Sequence, residues 1–202
     1  MDLLLIRHAE PVRIVDADGP ADPPLRERGQ QQAQLLGLWL ATEPLDGIWA
    51  SPLRRARETA AAVAAHHGLE VVIDDELAEF DKEATSYIPY EELKATKDER
   101  FLAMAEGRLE DYDVDPKVFQ EGVVAAIDRV IVANPGRTVG VVCHGGVINA
   151  YLAHVLAIDR LLFFEPGYTS ISRVAASRSG ARSVVSLNEL AHLRHQSAPP
   201  PS

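Results

Sequence analysis

Three short stretches of the chain carry residue types suited to gripping an anion. An apolar run from Leu3 to Ile6 ends abruptly in Arg7 and His8. A second run, TVGVVC, ends in His144 and is followed by Gly145 and Gly146. Between them, SPLRRARETA places Arg54 and Arg55 early in a helix that Ser51 would cap. A guanidinium is a permanently charged planar fork that holds two oxygens at once. An imidazole can attack, move a proton or donate a hydrogen bond near neutral pH. Side chains on a helix tilt toward its N-terminus, so an arginine there reaches back over the strand ends. Glycines at a helix start let the backbone approach a ligand and leave N–H groups free. Taken singly, each stretch also fits a bland role: a strand tip in solvent, a basic patch, a structural histidine. Two strands each ending in histidine, with arginines where the helix dipole disfavours cations, together describe a site for a dianion such as phosphate.

For these residues to meet, the strands that carry them must lie side by side, because ligands of open parallel α/β sheets sit beyond the carboxyl ends of the strands. The pattern supplies such strands. Apolar runs at 3–6, 45–51, 69–74 and 138–143 alternate with helical stretches at about 25–41, 52–67, 116–134 and 145–158. Two late strands follow at 170–176 and 182–188. Strand–helix alternation predicts a three-layer α/β sandwich, a mostly parallel central sheet with helices on both faces. Neighbouring residues on a straight strand face opposite ways. Arg7 and His8 can therefore share a site only if the strand ends between them.

Size and charge bound the rest. The chain has 202 residues, 47% of them hydrophobic, which suits one domain at 1–195 with its own core. Its formal charge of -10 argues against nucleic acid as a partner. The stretch 74–115 holds 15 Asp and Glu against 5 Lys and Arg, so the whole acidic excess sits there. It reads as a solvated face, or as an insertion that acts as a lid. A single cysteine, Cys143, cannot form an internal disulfide and suits a reducing compartment. No apolar run approaches a membrane span, and the opening lacks a basic signal-peptide region, so a cytoplasmic location is expected. Residues 196–202 read as a disordered tail.

The motifs LIRHAE, SPLRRARETA, LAEF and VVCHGGVI, in that order and approximate spacing, resemble the histidine phosphatase superfamily, the phosphoglycerate mutase-like proteins of branch 1. DPPLRERGQQQA is also similar to that family's first helix, so the resemblance spans roughly residues 1–155. It implies a phosphoglycerate mutase-like fold and a metal-independent, cofactor-free phosphatase of the histidine acid phosphatase type, acting on a small-molecule phosphate ester. The implied catalytic residues are His8 as nucleophile, Glu79 as proton donor and His144 as a second histidine at the phosphate. Arg7, Arg55 and Gly145 are the implied substrate-binding residues, and Arg13 is a candidate for the same role. Glu76, Asp81 and Glu83 lie close enough to compete with Glu79. A homodimer is compatible with the chain.

The sequence also departs from the family. Ala9 stands where glycine is common, Cys143 where serine is common, and Arg13-Ile14 where many members have Trp-Asn. DKEATSYIPY replaces a glycine-bearing stretch, so the substrate side of the pocket differs from that of glycolytic mutases. Three other activities remain as alternatives: a mutase-type phosphotransferase, a protein phosphohistidine phosphatase, and a non-catalytic phosphate-binding module. A metal-dependent reading would use His8, His144 and Glu79 as a triad, but two arginines would repel a divalent cation at close range. Elsewhere, Trp39, Trp49 and Phe163 read as core, His154 as packed, His192 and His195 as surface, and Tyr87 and Tyr90 as candidate pocket residues.

Overall fold

Alternate residues of the first strand feed two separate cores. In β1 (Asp2–Arg7), Leu3 and Leu5 pack against one set of helices, and Leu4 and Ile6 against the other. The computed structural model of the protein describes residues 1–197 apart from 107, 110 and 111. The other strands are β2 (Gly47–Ala50), β3 (Val71–Ile73), β4 (Thr138–Cys143), β5 (Ile171–Ala176) and β6 (Arg182–Glu189). They form one sheet in the order β3-β2-β4-β1-β5-β6. β3, β2, β4 and β1 pair in parallel, and β5 is antiparallel to both β1 and β6. Helices α1 (Glu27–Leu40) and α2 (Arg54–Ala64) cover one face. Helices α5 (Pro116–Ala133) and α6 (Gly145–Leu156) cover the other. The three-layer sandwich with a mostly parallel sheet is thus the observed architecture. Among the described residues no helix is long and apolar enough to cross a membrane.

The acidic stretch has its own structure. After a short 3-10 turn at Asp75–Leu77 come α3 (Tyr90–Thr96) and α4 (Glu99–Ala105). This cap is tied to the loop that follows β1. Ile14 and Tyr87 exchange backbone hydrogen bonds of 3.0 and 2.9 Å, and Ala17 N–H and Ala21 N–H donate to Thr85 and Ala84. Tyr87 and Glu91 of the cap line a cavity, so the segment is more than a solvated face.

Several local expectations are corrected. Ser51 does not cap α2, which starts at Arg54. Asp22, from a distant loop, accepts the Arg54 N–H at 2.7 Å and takes that task. His192 is not on the surface: it is buried and bonded to the Thr169 hydroxyl at 2.9 Å, with Trp39 against its ring. Trp39 in turn is 43% exposed rather than core, and His154 is exposed rather than packed. Residues 196 and 197, expected in the disordered tail, belong to a 3-10 turn, Ala191–Ser197. Residues 198–202 and the His195 side chain lie outside the described residues.

Candidate active site

The register of three parallel strands lines up the chemistry. Arg7 pairs with Cys143 across β1 and β4, and Ala50 pairs with Val142 across β2 and β4. The next residue of each strand is therefore His8, His144 or Ser51, and these three stand side by side at one edge of the sheet. Backbone bonds hold the tips together: His8 N–H to Cys143 O at 2.9 Å and Ser51 N–H to Val142 O at 3.0 Å. β1 ends at Arg7, so the chain turns there and Arg7 and His8 can both reach one cavity. β5 runs antiparallel and starts at the same edge, which brings Tyr168 under Arg7 with its ring 3.9 Å from the guanidinium carbon.

His8 is buried, and its ring has only one way to be protonated. Nδ1 lies 2.8 Å from the Ala9 carbonyl oxygen, which can only accept, so Nδ1 carries the hydrogen and Nε2 keeps its lone pair. Burial, then Arg55, then Arg7 pull the His8 pKa well below the usual histidine value. The ring is therefore neutral at neutral pH. His144 stands beside it, ring centroids 5.0 Å apart, and is lowered by burial, Arg55, His8 and Arg7. The His144 Nε2 meets the Ser51 hydroxyl at 2.7 Å. His144 is not among the residues that line the cavity, but its ring stands against His8 with Nδ1 buried and unpartnered.

Arg54 and Arg55 separate as helical spacing requires. Arg54 is exposed and paired with Glu58 at 2.7 Å. Arg55 is 1% exposed, lies over the Tyr87 ring and reaches Asp81 at 3.2 Å. Arg7 reaches Glu91 at 2.8 Å and the Pro166 carbonyl at 2.7 Å. Three buried nitrogens here have no partner: Nε of Arg7, Nε of Arg55 and Nδ1 of His144. Buried polar groups are almost always satisfied, so this cluster is what a cavity built for a multi-oxygen anion leaves open.

Glu79 is the buried carboxyl of the site. It accepts from Gly146 N–H at 2.8 Å and Phe80 N–H at 3.2 Å. Burial and the nearby Asp81 push its pKa up to about 7 despite those bonds and Arg55. Of its competitors, Glu76 is exposed and paired with Arg129, and Glu83 is exposed. Asp81 lines the cavity but is engaged by Arg55. The amide of α6 expected to await a ligand is thus used to hold this carboxyl. Gly146, which the residue pattern offered together with Gly145, is the sterically demanding position. A Cβ there would fall 2.2 Å from Glu79 Oε1 and 2.7 Å from Phe80 Cε1. Gly146→Ala should displace the carboxyl and slow any reaction that uses it by on the order of 10²-fold, the usual result of a 1 Å misplacement. Steady-state kcat measurements check this, and an unchanged rate would detach Glu79 from the chemistry.

The cavity holds about 610 Å³. Arg7, His8, Arg55, Glu79 and Gly145 all line it. Tyr87 and Tyr90 do so as well, and Phe163 both packs against the core and lines the cavity. Arg13 is displaced from the expected site: it is half exposed, pairs loosely with Glu92 at 3.4 Å, and lies outside the cavity. The reason is that Ile14 and Tyr87 form a strand-like bridge, which commits this loop to anchoring the cap. Tyr168 and Glu91 join the site without having been assigned to it from sequence, and Asp81, a sequence candidate for the proton donor, joins it as the partner of Arg55. Tyr168 sits in a loop, GYTS, with no periodic signal, and only the turn into β5 places it. Among the described residues no three His, Cys, Asp or Glu side chains group closely enough to hold a metal ion.

The model of the family described as the histidine phosphatase superfamily (branch 1) matches residues 3–189. The chain is 32% identical over 203 residues to phosphoserine phosphatase 1 of Hydrogenobacter thermophilus, covering 95% of this chain and 93% of that protein. It is 31% identical over 160 residues to phosphoglycerate mutase-like protein 4 of Arabidopsis thaliana, covering 74% and 68%. A solved phosphoserine phosphatase from Entamoeba histolytica superimposes with a TM-score of 0.74 at 23% identity, covering 95% of this chain and 98% of that one, which speaks to the fold.

Proposed function

Since the chain belongs to the histidine phosphatase superfamily (branch 1), we propose that it hydrolyses small-molecule phosphate monoesters through a phosphohistidine on His8. The observation that carries this is the pairing at His8: Nδ1 committed to a carbonyl, Nε2 free, and two guanidinium groups at the same cavity. Nε2 attacks phosphorus and the P–O bond to the leaving group breaks. The protonated Glu79 gives its proton to the departing alkoxide. Water then attacks the phosphohistidine, the Glu79 carboxylate takes a proton from it, and phosphate leaves a neutral His8. Phosphoryl transfer of this kind depends on position and on neutralising the equatorial oxygens, the task proposed for Arg7 and Arg55.

Ser51 fits an orienting role. Its oxygen accepts the Leu53 N–H at 3.3 Å, so its hydroxyl hydrogen is free to go to His144 Nε2. A Ser51 hydroxyl donating to Nε2 would leave the His144 proton on Nδ1, a buried nitrogen without a hydrogen-bond partner. Gly145 lines the cavity as an expected substrate contact. A small substrate suits the roofed cavity better than a protein surface does, and the acidic chain gives no basis for a nucleic-acid partner. We place the enzyme with the histidine acid phosphatase type and in the cytoplasm on the grounds given from sequence.

The test is a panel of phosphate esters assayed with a metal chelator present, scored both for released phosphate and for isomerised product. Chelator-insensitive release is the expected result. Isomerised phosphoglycerate would favour the mutase reading, loss of activity with chelator would favour the metal reading, and no turnover would favour a binding module.

A further inference from the structure

Both arginines that would hold the substrate's phosphate already hold carboxylates, and both carboxylates come from the acidic segment. Asp81 meets Arg55 and Glu91 meets Arg7. The two pairs differ in what each partner could do if separated. The Arg7 side chain is 8% exposed and is fixed by the Tyr168 ring and the Pro166 carbonyl. The Glu91 side chain is 48% exposed and can withdraw into water. A buried cation needs an anion at all times, whereas a half-exposed carboxylate does not. A phosphoryl dianion arriving at Arg7 would also repel Glu91 at contact distance.

Glu91 lies on α3, a seven-residue helix whose other polar ties are weak ones. Lys94 meets Glu165 at 2.5 Å and the Tyr90 hydroxyl meets Glu165 at 3.4 Å, both exposed. Exposed pairs of this kind add little stability. Glu91 thus ties α3 to the phosphate end of the cavity, through Arg7 and through the Tyr168 hydroxyl.

We propose that Glu91 is an internal competitor for the phosphate site, a residue that sets substrate affinity by occupying Arg7 until the phosphoryl group displaces it and unlatches α3. This rests on Arg7 being a phosphate ligand, as the proposed function holds. Asp81 is the poorer probe of the idea, because its charge also acts on Glu79. Glu91 is not among the groups that shift Glu79.

The experiment measures binding of inorganic phosphate to the full chain by calorimetry, for the wild type, Glu91→Gln and Glu92→Gln. Glu92 is the control: it lies on the same helix with the same charge and pairs only with the exposed Arg13. Glu91→Gln should bind phosphate about five- to tenfold more tightly, with Glu92→Gln close to wild type. Hydrogen exchange of the α3 amides should quicken when phosphate binds the wild type, and should already be quick in unliganded Glu91→Gln. Unchanged or weaker phosphate binding in Glu91→Gln would overturn the inference, as would equal tightening in Glu92→Gln or slower α3 exchange on binding. A wild type that binds no phosphate would overturn the phosphatase reading and this inference together. Phosphate binding without tightening in Glu91→Gln overturns this inference alone.

Discussion

Replacing His8 with alanine is expected to lower kcat/KM for every phosphate monoester by on the order of 10⁴-fold or more, because the variant lacks the atom that forms the covalent intermediate. Among the described residues no other side chain in the cavity is placed to take over. His144 stands beside His8 but is not on the cavity wall, and Cys143 is buried in the core on the α5–α6 side, where burial above all pushes its thiol pKa up. The fold should survive. The His8 side chain makes one hydrogen bond, to Ala9 O, and the strand-end bond to Cys143 O is made by its backbone. Losing one such bond costs about 1 kcal/mol. Steady-state rates and a thermal melt check both halves. Turnover within tenfold of wild type in a folded His8→Ala protein would remove the phosphohistidine from the mechanism.

Glu79→Gln is expected to slow hydrolysis of alkyl phosphates by about 10²- to 10³-fold, within the range of general acid catalysis. p-Nitrophenyl phosphate should lose about tenfold or less, because nitrophenolate departs without needing a proton. The pH profile supplies an independent reading. As an acid, Glu79 works in its protonated form, and burial with Asp81 raises its pKa to about 7. For alkyl esters, where bond cleavage limits the rate, kcat/KM, which reports the free enzyme, should hold on the acid side and fall as pH rises past about 7. That alkaline limb should disappear in Glu79→Gln. Equal losses for both leaving groups, or a limb that persists in the variant, would assign the proton to another group, with Asp81 the nearest candidate at the cavity wall.

The residues to which the chemistry is assigned are readable because they sit at points that local rules mark. Leu3 to Ile6 and Val139 to Cys143 are unbroken apolar runs, the mark of strands buried on both faces. A charged or titratable residue at the end of such a run needs a reason, and His8 and His144 were found that way. Arg55 was separated from Arg54 by a family pattern, and the helix confirms the geometry: residues one apart point about 100° apart, so one is buried and the other exposed. The acidic segment was visible as a charge imbalance, though its function was not.

What chain order alone settled, then, is the set of strands and helices, the layering that their alternation demands, and the identity of most groups at the strand tips. Each of these follows from neighbours a few residues apart. Tertiary structure decided the contacts between remote loops. Asp22 rather than Ser51 caps α2, and that leaves the Ser51 hydroxyl to orient His144. Pairing of Ile14 with Tyr87 turned Arg13 away from the phosphate end. Antiparallel β5 carried Tyr168 under Arg7, and α3 carried Glu91 onto it. These partners are separated by about 30 to 160 positions along the chain, and no periodicity or propensity encodes a contact at such distance. Burial, set by the whole packed molecule, is also what keeps His8 neutral and raises the Glu79 pKa to about 7.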